Sequence, residues 1–119
     1  MKHQNSKKKL NCSSKHGKAL LRNQAIHFIK YGVLQTTTAR VKAVRSLVEK
    51  VVTIARSGND FNNRRKAKQL LPYDLNALDK LFNDIAPKYV TRPGGYTRIF
   101  RMIHRTSDTA KISRLTWVE

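Results

Sequence analysis

"TRPGGYTRIFRMIHR", Thr91 to Arg105, opens with a Pro93-Gly94-Gly95 turn and continues into Ile99, Phe100, Met102 and Ile103. Arginines break that apolar run at Arg98, Arg101 and Arg105. It is too charged for a strand buried on both faces and too apolar for a fully solvated one. A half-buried strand satisfies both: one sheet face packs inward, and the arginines reach phosphate or solvent. Long arginines can bury their stems and still extend their guanidinium heads. The alternation is imperfect, because Ile99 and Ile103 share one parity while Tyr96, Phe100 and Met102 share the other. The strand is expected over Tyr96 to His104. A second is expected over Ala110 to Val118, with "RTSD", Arg105 to Asp108, as the hairpin link. Ile112 and Leu115 are out of phase in it, which predicts a bulge.

Helical patterns fill the chain before this hairpin. Ser13 or Ser14 can cap a first helix from about Lys15 to Tyr31, with Leu21, Ala25, Phe28 and Ile29 at helical spacing and Gly32 as the stop. "VLQT", Val33 to Thr36, reads as a brief strand. Thr38 can cap a second helix carrying Val41, Val44, Val48, Val51 and Ala55 in one stripe, ended by Gly58. Asn59 or Asp60 starts a third, shorter helix in which Phe61, Ala67, Leu70 and Leu71 should pack, and Pro72 closes it. Asp74 caps a fourth, with Leu75, Leu78, Phe82 and Ile85 inward, Leu81 beside them and Pro87 as its limit. The architecture expected is α+β: about four helices packed on one face of a small mixed β-sheet. Residues 1–13, basic and nearly devoid of apolar side chains, form an extended arm that orders on nucleic acid. Residues 14–119 form a single domain.

Charge dominates the composition. The 119 residues carry 25 Lys and Arg against 7 Asp and Glu, a formal net charge of +18. Such an excess repels itself and calls for a polyanionic partner. Phosphate backbone fits, because Lys and Arg release its condensed counterions. No acidic residue precedes Glu49, so one uninterrupted positive field covers the front of the chain. Arg40, Lys42 and Arg45 crowd the first turns of the second helix, against the preference of its dipole for anions. Nearby phosphate would reconcile them. Membrane insertion is not expected: no apolar run approaches spanning length, and "MKHQNSKKKLN" has neither the apolar core of a secretory signal nor the arginine bias of an organellar presequence.

Chemistry beyond binding finds little support. The single cysteine, Cys12, excludes an internal disulfide. His3, Cys12 and His16 match no zinc spacing and have no fourth soft ligand nearby. The Gly94-Gly95 turn leads into no helix with a following Lys and Ser or Thr, so it is no nucleotide loop. The four histidines are scattered, and Asp79 and Asp84 point to different sides of one helix. No enzymatic activity, cofactor, metal or small-molecule substrate is expected. "GGYTRIF" faintly resembles the aromatic strand of an RNA-recognition motif, but the order of elements differs. A free DNA- or RNA-binding protein is the alternative that composition alone leaves open.

"RPGGYTRI", Arg92 to Ile99, closely resembles a signature of the bacterial-type large-subunit ribosomal protein seventeen family. Leu10-Asn11, Ser14, His16, Ala19 and Arg22-Asn23 are similar to its N-terminal block. "TTTARVKAVRSLVEKVVTIAR" is similar to its central helix. Asn63 to Arg65, "LFNDIAPKY" and the last strand follow in order. The chain departs from the family at Gln4, Cys12 and Gly17, where relatives are basic; Lys7, Lys8 and Lys9 partly compensate. The resemblance implies a ribonucleoprotein role in translation: a structural constituent of the large ribosomal subunit. It implies binding to large-subunit ribosomal RNA near the polypeptide exit tunnel, beside other ribosomal proteins. The compartment implied is the cytoplasm, with an organellar ribosome as the other possibility. Candidate RNA-contacting residues, assigned by position, are Lys2, His3, Lys7, Lys8, Lys9, Lys15, His16, Lys18, Arg22, Arg40, Lys42, Arg45, Arg64, Arg65, Arg92, Tyr96, Arg98 and Arg101. Tyr96 is read either as a base-stacking residue or as a core tyrosine with its hydroxyl satisfied.

Overall fold

The computed structural model describes residues 1–3, 5 and 8–119. Its elements run α1 (Ser14–Tyr31), β1 (Val33–Thr37), α2 (Thr38–Arg56), α3 (Phe61–Leu70), α4 (Leu75–Lys80), β2 (Thr97–Arg101) and β3 (Ile112–Trp117). The architecture is α+β, as expected. The sheet order is β1-β3-β2 and both ladders are antiparallel, so the sheet is not mixed. The latest strand in sequence inserts between the other two, and each neighbour can then run against it.

Local chemistry sets most boundaries. Ser13 caps α1 by accepting from the His16 N–H, and Gly32 ends it in the left-handed region at φ 76°. Asp60 and Asp74 cap α3 and α4, accepting from the N–H groups of Asn63 and Ala77. Thr38 does not cap α2. Thr37 holds that position without a side-chain bond. The Thr38 hydroxyl instead pairs with Ser113 Oγ at 2.7 Å and donates to the Lys111 carbonyl, fastening the start of α2 to β3. Pro87 does not end the helical run after α4. The run continues as a π-type turn, Leu81–Ile85, and a 3₁₀ turn, Ala86–Tyr89. Proline is tolerated in that first turn because its missing N–H has no partner to lose.

α2 is the central element. Val41, Val44, Val48, Val51 and Val52 are all fully buried, each worth roughly 1.5–3 kcal/mol relative to exposure. Ala25, Phe28 and Ile29 of α1 join the same core, with Leu71, Leu78, Leu81, Phe82, Ile85 and Leu115. Phe61 and Leu75, expected inside, stay 78% and 60% exposed. Both stand at the first position of short helices, and α3 buries only Ala67.

The expected bulge is absent. β2 and β3 pair without interruption from Thr97↔Trp117 to Arg101↔Ser113. The inward face of β3 is Ser113, Leu115 and Trp117, so Ile112 lies on the outer face with Arg114 and Thr116. Ile99 pairs with Leu115 and packs against the core. Arg98 pairs with Thr116 and faces outward.

Candidate nucleic-acid interface

The candidate cations sort by whether another group already engages them. Lys2, His3, Lys8, Lys9, Lys15, His16 and Lys18 are exposed at the start of the chain, and Lys7 lies outside the described residues. Arg40, Lys42 and Arg45 are exposed on α2, Arg45 beside the Glu49 carboxylate, Arg65 is exposed on α3, and Arg98 and Arg101 on β2.

Two adjacent hollows gather several of these. One is lined by Lys8, Lys9 and Lys18 beside Cys12 and Gly17. The other is lined by Lys8, Lys42, Arg45, Ser46, Glu49 and Ile99. Lys8 belongs to both, so a basic track runs from the first turns of α1 across to the flank of α2 and β2. Arg101 follows Ile99 on the same face of β2 and extends it. Sequence separation had hidden this convergence; packing α1, α2 and β2 produces it.

Other candidates are engaged within the fold. Arg22 donates to the Gln69 carbonyl and the Tyr73 hydroxyl, and its guanidinium lies 5.6 Å from the Tyr73 ring centroid. Arg64 bonds Asp79 at 2.8 Å and Asn59 at 2.5 Å, and covers the Phe82 ring. Arg92 is half-buried and reaches the Gly95 carbonyl. Tyr96 is 1% exposed. Its hydroxyl meets Thr53 Oγ1 and accepts from Arg56, both at 3.2 Å. It offers no free ring face to a base and is the core tyrosine of the two readings.

Among the described residues, no three His, Cys, Asp or Glu side chains cluster as a metal site, and no helix is long and apolar enough to cross a membrane.

A sequence model of ribosomal protein L17 matches residues 20–118. The chain belongs to the ribosomal protein L17 family. Its relatives include large ribosomal subunit protein bL17 of Halothermothrix orenii, 41% identical over 94% of this chain and 96% of that protein. The bL17 of Gemmatimonas aurantiaca is 40% identical, over 97% of this chain and 96% of the relative. The bL17 of Lawsonia intracellularis is 43% identical, over 97% of this chain and 90% of the relative.

In this L17-family chain the "RPGGYTRI" stretch is first a latch onto α2. The Glu49 carboxylate accepts from the Gly95 N–H at 3.2 Å, the Thr97 N–H at 3.1 Å and the Thr97 hydroxyl at 2.7 Å. Arg45 stands 3.8 Å from it. Arg56 donates to the Arg92 carbonyl as well as to Tyr96. Gly94 and Gly95 adopt φ 143° and 64°, and a β-carbon at either would meet nothing within 4 Å. Backbone angle, rather than crowding, is what calls for glycine there. Glu49 was not among the residues expected to organise this stretch. Its signal was its isolation: the first carboxylate in a long basic stretch is a natural target for spare N–H donors. Also missed were Phe100 and Arg114, both exposed on the outer sheet face.

Proposed function

We propose that this chain is a structural constituent of the large ribosomal subunit, bound to large-subunit ribosomal RNA near the polypeptide exit tunnel, beside neighbouring ribosomal proteins. It contributes to translation as scaffold rather than as catalyst, within the cytoplasmic ribosome. Membership of the ribosomal protein L17 family and the names of its relatives support this reading. The observation that carries the RNA contact is the basic track joined through Lys8. Glu49 is its one carboxylate, and two N–H groups and a hydroxyl occupy it.

In this reading residues 1–13 act as a basic arm on the domain formed by 14–119. Lys8, Lys9, Lys18, Lys42, Arg45 and Arg101 are the principal phosphate ligands. Lys2, His3, Lys7, Lys15, His16, Arg40, Arg65 and Arg98 add contacts around them, while Arg22, Arg64 and Arg92 serve the fold first. The test is sedimentation of tagged protein on sucrose gradients after a high-salt wash. Co-migration with large subunits is expected, with reduced incorporation of a Lys42→Gln/Arg45→Gln variant that unfolds at the wild-type temperature. Free migration of the wild type would overturn the reading.

A further inference from the structure

The helices cover one face of the sheet and leave the other open. Val33, Gln35, Ile112, Arg114, Arg98 and Phe100 share that open face by register. Phe100 is 47% exposed and lies directly opposite Arg114. Arg98 is two residues from Phe100 on the same strand, and lies diagonally from Arg114 at about 7–8 Å between Cα atoms. The Arg114 guanidinium donates to Gln35 Oε1 at 3.2 Å, which ties it to β1 and leaves its other donors outward. None of the three strands contains an acidic residue.

We infer that this helix-free sheet face is a second RNA surface, where an unpaired base stacks on Phe100 while Arg98 and Arg114 hold the flanking phosphates. An aromatic ring set between two cations, with no carboxylate on the face, complements the two parts of a nucleotide: a π-face and an anion. The charge pattern favours RNA over a protein neighbour, because the apolar surface here is one ring and scattered β-branched residues rather than a continuous patch. The inference rests on the ribosomal reading and deepens it. The stacking aromatic is then Phe100 instead of the buried Tyr96, and the basic track is a separate surface that tracks backbone.

The test uses the full chain with two probes, naked large-subunit ribosomal RNA and single-stranded octauridylate. Phe100→Leu keeps an apolar side chain and removes the π-face. It should weaken octauridylate binding about tenfold, whereas Phe100→Trp retains it. Arg98→Gln should make the salt dependence shallower by about 0.7 in log–log slope. In the wild type, octauridylate should move the Phe100 ring proton resonances upfield, a readout that needs no variant to fold. Binding of ribosomal RNA with an unmoved Phe100 ring and unchanged affinity in Phe100→Leu would overturn this inference and leave the ribosomal reading intact. Failure of both RNAs to bind would overturn both.

Discussion

Glu49 shows how much one side chain organises. Its carboxylate accepts two backbone N–H groups and a hydroxyl from the Gly95–Thr97 segment. Charge-assisted bonds of this kind are the stronger ones, and removing the acceptor orphans the N–H and hydroxyl of buried Thr97. Glu49→Ala is therefore expected to destabilise the free protein by about 2 kcal/mol in urea unfolding. A loss under roughly 0.5 kcal/mol would mean water replaces the carboxylate at no cost. Two neighbours on β2 should divide differently. Arg98 is exposed on the outer face, so Arg98→Ala should leave the unfolding midpoint unchanged and weaken incorporation into subunits. Ile99 is half-buried against the core. Ile99→Ala should cost about 1–2 kcal/mol, less than a fully buried isoleucine would. Equal destabilisation by both substitutions would make Arg98 a structural residue.

At the scale of elements, α1 and α4 are joined where Lys30 meets Asp74, the N-cap of α4. Lys80 strengthens this junction by donating to the Lys30 carbonyl at 2.5 Å. Lys30, and then the Ala77 N–H, hold the Asp74 carboxyl below its ordinary 3.8. Hydrogen bonding to Asp74 raises the Lys30 ammonium above its ordinary 10.5. Asp74 thus contributes stability that is complete above 3.8 and is lost as pH falls from there through its lowered folded value. The Lys30 contribution is complete below 10.5 and is lost as pH rises through its raised folded value. Asp74→Asn keeps a competent cap and removes the charge. The wild type should unfold at a higher temperature than this variant between about pH 5 and pH 9, and the two should converge only as pH falls below 3.8 through the lowered folded value of Asp74. A difference that persists in acid would show that the cap, not the ion pair, carries the effect.

Over the whole molecule, cations outnumber carboxylates so far that few ion pairs can form. Four are present among the described residues, and they engage Lys30, Arg45, Arg64 and Arg105. Among the described residues, the remaining exposed cations have no carboxylate partner, and the track around Lys8 concentrates several of them. Binding to naked ribosomal RNA should therefore weaken steeply with salt. If about six phosphates are neutralised, the log–log slope should lie near minus four to minus six, the shallower value applying to single strands. A slope near minus one would show that shape and apolar contacts dominate and that the charge serves another end.

Periodicity, caps and charge made much of this protein legible from residues alone. The valine stripe of α2 could only face a core. Ser13 or Ser14, Asn59 or Asp60, and Asp74 marked where helices begin, the fold using Ser13, Asp60 and Asp74, and Gly32 could readily adopt the left-handed angle that ends α1. These are local facts, fixed within a few residues of chain. Register and depth are not local. Whether Ile112 faced in or out depended on its pairing with Thr37, 75 positions earlier. Tyr96 could not be divided between base-stacking and core until Thr53 and Arg56 were seen closing over its hydroxyl. Phe61 and Leu75 had apolar periodicity but no neighbouring layer, so the pattern promised burial that the packing did not supply. Periodicity and composition set the α+β class, most of the helix ends and the excess of positive charge that calls for a polyanion. Which arginines are held within the fold, which stand free, and that Lys8 joins two separated basic segments came from packing, because those depend on which surfaces meet when distant segments come together.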